Sequence, residues 1–67
     1  MTPEGLGERI RTQRTALGLT QREVASYANV GERFVVDLEA GKATVQLGKV
    51  LRVLATLGLK VEIEASP

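Results

Sequence analysis

The stretch Leu19-Thr-Gln-Arg-Glu-Val-Ala-Ser-Tyr-Ala-Asn-Val-Gly-Glu-Arg-Phe-Val-Val-Asp-Leu-Glu39 decides the fold. It predicts two short helices with a tight turn between them. Thr20 is a favoured N-cap, and Glu23 three residues on completes a capping box, so a helix starts at Gln21. Val24, Ala25 and Ala28 fall on one face of that helix. Asn29 tolerates the left-handed conformation and stops the helix, and Gly31 begins the next one. Val35 and Leu38 are three apart and share a buried face. Glu32, Arg33, Val36 and Asp37 point the other way.

A short helix whose outward face carries an arginine and carboxylates, just after a four-residue turn, fits the second helix of a helix-turn-helix. Charge supports this. The net charge of +1 hides an asymmetry between the middle and the ends. From Arg9 to Arg52 there are eight basic residues: Arg9, Arg11, Arg14, Arg22, Arg33, Lys42, Lys49 and Arg52. Four acids oppose them (Glu23, Glu32, Asp37, Glu39), a surplus of four, while Glu4, Glu8, Glu62 and Glu64 lie near the termini. A basic middle favours a polyanionic partner; a well-solvated surface is the plain alternative.

Outward from the centre, residues 1–5 read as a flexible lead-in, although Pro3 also suits a first helical turn. Leu6, Ile10, Gln13 and Leu17 recur at helical spacing, so a first helix runs from about Leu6 to Leu17, with Arg14 beside its buried stripe. Gly18 supplies a left-handed stop, and Leu19 the hydrophobic contact that follows such a stop. Beyond the central pair, Ala40 to Thr44 form a turn centred on Gly41, and Thr44 can cap the next helix. That helix carries Val45, Leu47, Val50, Leu51, Val53, Leu54 and Leu57 before Gly58 ends it. Val53 lies off the main stripe, which predicts either a second buried side, as at a subunit contact, or a partly exposed valine.

In the tail, Leu59, Val61 and Ile63 alternate with Lys60, Glu62 and Glu64, the pattern of a half-buried strand. A lone strand leaves a row of unpaired backbone groups, and pairing with the same strand of a second copy across a two-fold axis repairs it. A frayed tail is the alternative. The expected organisation is a lead-in (1–5), one helical domain (6–58), a dimerisation strand (59–64) and a tail (65–67).

The composition excludes much. A chain of 67 residues buries only ~60% of its unfolded surface, so its stability is marginal unless something adds to the core. Cysteine and histidine are both absent, which removes disulfides, thiolate sites, the usual general base and the commonest metal ligand. Gly5 and Gly7 lack the spacing of a phosphate-binding loop. No enzymatic activity, metal or cofactor is expected. No apolar run nears the ~20 residues that span a membrane, and the start does not read as a signal peptide, so a cytoplasmic location is expected.

With these residues read, a resemblance enters. Leu19-Thr20-Gln21, Glu23-Val24-Ala25, the Val35…Leu38-Glu39 set and Gly41-Lys42 resemble the Xre-type helix-turn-helix family of phage and bacterial repressors. The run from Thr44 to Ile63 looks like the HipB-type antitoxins, whose fourth helix is followed by a C-terminal strand. The resemblance spans roughly Leu6 to Ile63. It implies an all-α, four-helix domain with a single C-terminal β-strand paired across a homodimer. It further implies a transcriptional repressor that binds a palindromic double-stranded operator. In HipB-type systems the further partner is a kinase toxin of HipA type. A phage or plasmid repressor without a toxin, or a module acting mainly by neutralising a toxin, is the alternative. Two departures stand out: Asn29 where the family often has Gly, and Ala43 where related sequences often carry Pro.

Residue roles follow from the same likeness. The likeness implies that Gln21 binds phosphate through its amide and the helix N-terminus, the alternative being a solvent-facing first-turn residue, with Arg22 able to add a charge-assisted contact. Gly31, Glu32, Arg33, Val36 and Asp37 occupy base-facing positions. Arg33 can make two hydrogen bonds to guanine, Glu32 or Asp37 can accept from cytosine or orient Arg33, and Val36 can touch a thymine methyl. Both carboxylates can equally be solvated helix charges. Phe34 either lies against the sugar–phosphate backbone or packs under the motif. Lys42 sits where an ammonium would meet a phosphate, positioning without readout. Arg14 and Glu39 match an arginine and a glutamate that pair in the repressor family, a structural role.

Overall fold

A computed structural model describes residues 1–66, which form four helices: α1 (Pro3–Ala16), α2 (Gln21–Ala28), α3 (Glu32–Glu39) and α4 (Leu47–Thr56). Of the expected tail (65–67), Pro67 lies outside the described residues.

The helix starts follow local chemistry where it is strong. Thr20 and Glu23 form a reciprocal capping box, with Glu23 N donating to Thr20 Oγ1 at 3.0 Å and Thr20 N donating to Glu23 Oε1 at 2.9 Å. At α1 the lead-in expected over residues 1–5 is corrected. Thr2 is the N-cap, its Oγ1 accepting from Gly5 N at 2.9 Å, and Pro3 and Glu4 open the first turn. A proline with preset φ and an acid near the helix N-terminus both favour that earlier start. The start of α4 is corrected the other way. Gln46, not Thr44, is the cap, and it makes no side-chain hydrogen bond. Val45 packs against the core instead of continuing the helix.

All four helices stop alike. A left-handed residue follows each one: Gly18 (φ 72°), Asn29 (φ 55°), Gly41 (φ 90°) and Gly58 (φ 70°). The next N–H then turns back five residues, as in Leu19 N to Arg14 O at 3.1 Å and Lys42 N to Asp37 O at 3.0 Å. Val30 N to Ala25 O and Leu59 N to Leu54 O complete the set at 3.0 and 2.9 Å. This is the Schellman arrangement, which satisfies the orphan carbonyls of a helix end.

The core holds Ile10 from α1, Val24, Ala25 and Ala28 from α2, Val35 and Leu38 from α3, and Val50, Val53 and Leu54 from α4, with Leu57 just beyond. The central helix, α2, packs on both α3 and α4, and α1 packs on α3. Gly7 allows the last contact to be close: a Cβ there would sit 2.6 Å from the backbone oxygens of Leu38 and Glu39. Gln13 belongs to the α1 stripe because its Nε2 donates to Leu57 O at 3.0 Å, serving the end of α4.

Three sequence expectations change here. Leu17 lies beyond the last helical residue of α1 and is exposed, while Leu19 packs against the core. Val53 is fully buried inside the subunit, and the apolar residues left outside α4 are Leu47 (69% exposed) and Leu51 (46%). The inward arc of Val50, Val53, Leu54 and Leu57 leaves Leu47 and Leu51, one turn apart, on its flank. The stretch Leu59, Lys60, Val61, Glu62, Ile63, Glu64 pairs with no strand among the described residues, and Val61 and Ile63 face outward.

Candidate nucleic-acid interface

The surface predicted to meet DNA is assembled by α2, the turn after it, α3 and the loop behind α3. Three residues, Asn29 to Gly31, join α2 to α3, one fewer than the sequence suggested. The turn is held from the far side by Arg52 of α4, whose Nη2 donates to Asn29 O at 3.2 Å. Val35 and Leu38 anchor α3 in the core, so Glu32, Arg33, Val36 and Asp37 are carried on its outer side. Glu32 and Arg33 are exposed; Val36 and Asp37 are half-buried.

Two groups of ion pairs lie on this surface. Arg22 Nε lies 3.7 Å from Glu32 Oε1, tying the first turn of α2 to that of α3. Arg33 Nε lies 3.2 Å from Asp37 Oδ1, and Lys42 Nζ lies 3.7 Å from Asp37 Oδ2. Arg33 and Lys42 therefore share one carboxylate, and Arg22 has its own. The basic excess of the sequence is partly neutralised where it is most concentrated.

Gly31 is the N-cap of α3, yet its φ is an ordinary −72° and an added Cβ would meet nothing within 4 Å. The fold does not require glycine there. A side-chain cap is forgone, and the outer start of α3 is left bare.

Beneath the surface, Glu39 gathers three elements. Arg14 Nε donates to Glu39 Oε2 at 2.6 Å and Arg14 Nη2 donates to Oε1 at 3.0 Å, a two-pronged pair with side chains 12% and 4% exposed. Arg14 Nη1 donates to Leu19 O at 2.9 Å, and Gln21 Nε2 donates to Glu39 Oε1 at 3.2 Å. The hydrogen bond to Glu39 holds the Arg14 guanidinium above the ordinary arginine range; burial opposes this, and the attraction of the Glu39 charge adds to it. One N–H of the Gln21 amide is thereby committed to Glu39, leaving the other for an outside acceptor.

Phe34 is half-buried and packs against the core, with Lys49 Nζ 5.8 Å from its ring centre. That geometry favours packing over a place against the sugar–phosphate backbone, and it sets the Lys49 charge over an aromatic face. The Gln21–Glu39, Arg52–Asn29 and Gln13–Leu57 contacts are not legible in the sequence. The Arg33–Asp37 spacing of four is, since such residues meet on a helix.

A family model described as a helix-turn-helix domain matches residues 5–65. The chain is 53% identical over 64 residues to y4mF of Sinorhizobium fredii, an uncharacterised HTH-type transcriptional regulator, over 96% of this chain and 84% of that protein. In fold it is similar to a chain of the HipA–HipB–O2–O3 complex, with a TM-score of 0.89 at 19% identity over 100% of this chain and 94% of that one. It is also similar to the restriction-modification controller protein C.AhdI of Aeromonas hydrophila. There the TM-score is 0.78 at 29% identity, over 87% of this chain and 88% of that one.

Proposed function

This chain belongs to the Xre-type helix-turn-helix family of transcriptional regulators, and we propose that two copies of it bind a palindromic operator with α3 of each in a major groove. The observation that carries the reading is the cluster at α3 and its following loop, with Arg33 and Lys42 on the two oxygens of Asp37, and the separate pairing of Arg22 with Glu32 at the start of the same helix. In this reading a base reader shares this surface with two cations able to grip phosphates. Arg33 makes the specific contact, bidentate to guanine O6 and N7. Arg22, Lys42 and the free N–H of Gln21 fix register on the backbone. Glu32, Val36 and Asp37 complete the reading face, and bare Gly31 lets the backbone of α3 approach the duplex closely.

A dimer sets two such helices about one DNA turn, ~34 Å, apart. The alternating stretch from Leu59 to Glu64 supports pairing between copies, and exposed Leu47 and Leu51 extend the apolar surface that pairing would cover. With about six to ten phosphates contacted per dimer, affinity falls roughly 10³–10⁵-fold between 50 and 200 mM salt. The likeness in fold to HipB supports a finer version, an antitoxin that represses its own operon and binds a HipA-type kinase. A repressor without a toxin is the alternative. Both act in the cytoplasm, and no helix among the described residues is long and apolar enough to cross a membrane.

Binding of Arg33→Ala to the DNA upstream of its own coding sequence, and to a scrambled duplex of equal length, tests the reading. Preference for the upstream duplex is lost while weaker general binding persists. Equal loss on both would make Arg33 a phosphate contact.

A further inference from the structure

We propose that Asp37 is a specificity-determining residue that works by competition: its carboxylate withholds Arg33 and Lys42 from DNA lacking the cognate bases. The inference rests on the DNA-binding reading above and deepens it. Asp37 bridges two cations from different elements, Arg33 within α3 at 3.2 Å and Lys42 in the following loop at 3.7 Å. The two cations are largely open to water, with side chains 83% and 54% exposed, whereas Asp37 keeps only 23%. The anion is the anchored member and the cations are the movable ones.

The atoms involved decide what this does. Asp37 lies closest to Arg33 at Nε, and the guanidinium carries two terminal nitrogens besides. Those two can form the paired hydrogen bonds to a guanine edge while Nε stays on Asp37. On a cognate site the carboxylate thus steadies Arg33 from behind. Lys42 binds phosphate on any sequence, and away from a cognate guanine Arg33 also has only phosphates to bind. To reach them they must leave Asp37, and the stranded carboxylate then faces the polyanion at short range. Exposed ion pairs are weak, so the penalty on other sequences lies mainly in the stranded carboxylate beside the phosphates.

The test compares wild type with Asp37→Asn, which keeps the shape and removes the charge, after circular dichroism has matched their helix content. Each is titrated with the upstream duplex and with a scrambled duplex at about 0.1 M salt. One additional phosphate reached by each subunit tightens scrambled-duplex binding roughly tenfold and steepens its salt dependence by about one ion per subunit. The ratio of upstream to scrambled affinity falls by about tenfold or more, because upstream binding also loses the support that Asp37 gives Arg33. A second comparison uses Lys42→Gln, which weakens scrambled binding more in the Asp37→Asn background than in wild type. Unchanged or weaker scrambled binding by Asp37→Asn, or an equal Lys42→Gln effect in both backgrounds, overturns the proposal while the DNA-binding reading stands. A wild type that retains neither duplex overturns that reading and this inference together.

Discussion

Replacing Glu39 with alanine takes away one carboxylate and leaves three donors without an acceptor. Arg14 loses two hydrogen bonds, at 2.6 and 3.0 Å, and Gln21 loses one at 3.2 Å. Gln21 is half-buried and can turn to water. Arg14 cannot do so easily: its side chain is 12% exposed and its remaining bond, to Leu19 O, ties it inward. Stranding a buried charge in this way costs about 3–5 kcal/mol. At about 0.05–0.15 kcal/mol per residue, a chain of 67 residues has roughly 3–10 kcal/mol in total. The variant is thus expected near the edge of unfolding. For a domain of this size 1 kcal/mol is worth about 4–8 °C, so the melting temperature falls by at least about 12 °C. Thermal melts by circular dichroism, with both proteins at one concentration, measure it. Restoring apolar packing with Arg14→Met and Glu39→Leu together recovers most of the loss, because no charge is then left buried. A Glu39→Ala melt within about 3 °C of wild type, or a double variant no better than the single, refutes the reasoning. The sign with pH is also fixed. Because the folded-state Arg14 pKa is raised, its stabilisation is fully present below the ordinary arginine value and is lost only as pH climbs through the raised one. The melting difference between wild type and Glu39→Ala therefore stays level from about pH 6 to pH 9.

Gly7→Ala should separate α1 from α3, since the new Cβ would meet two backbone oxygens at 2.6 Å. A cost of about 1–3 kcal/mol, visible as a melt lowered by at least about 4 °C, is expected, and an unchanged melt would refute the close contact. Asn29→Ala should cost about 1 kcal/mol, because alanine lacks asparagine's tolerance for a φ of 55°, whereas Asn29→Gly should melt no lower than wild type. Calorimetry of the two side by side decides it. Ile63→Asp places a charge on the outward face of the tail and should turn a dimer into single subunits in sedimentation equilibrium at micromolar concentration. A tight dimer in that variant rules out pairing through residues 59–64.

The legible parts of the fold are those set by neighbours in sequence. The Thr20–Glu23 box and the stops at Gly18, Asn29 and Gly58 are each decided within a handful of residues, and local chemistry identifies them; at Gly41 it identifies a turn. The starts of α1 and α4 are harder to read because competing signals there are weak. Thr2 and Pro3 make a sound helix start, yet no apolar periodicity precedes Leu6 to announce it. Thr44 looks like a cap, yet Val45 is drawn to the core and delays α4. Val53 shows the limit of counting spacings on a single helix. Which side of α4 is inner depends on α2, and only their packing reveals that Leu47 and Leu51 are the residues left outside. The interface divides the same way. Spacing places Glu32, Arg33, Val36 and Asp37 together, but Lys42 joins Asp37, and Gln21 joins Glu39, through the folded chain alone.

The left-handed stop at Gly41 has a consequence for what one subunit can read. It halts α3 after eight residues, a rod of about 12 Å at ~1.5 Å per residue. Laid along a groove whose bases repeat every ~3.4 Å, such a rod passes only about three or four of them. So few letters recur by chance throughout any genome. Selectivity must then come from doubling the reader and from how readily the intervening duplex bends, and lengthening α3 at Gly41 would be the direct way to widen its footprint.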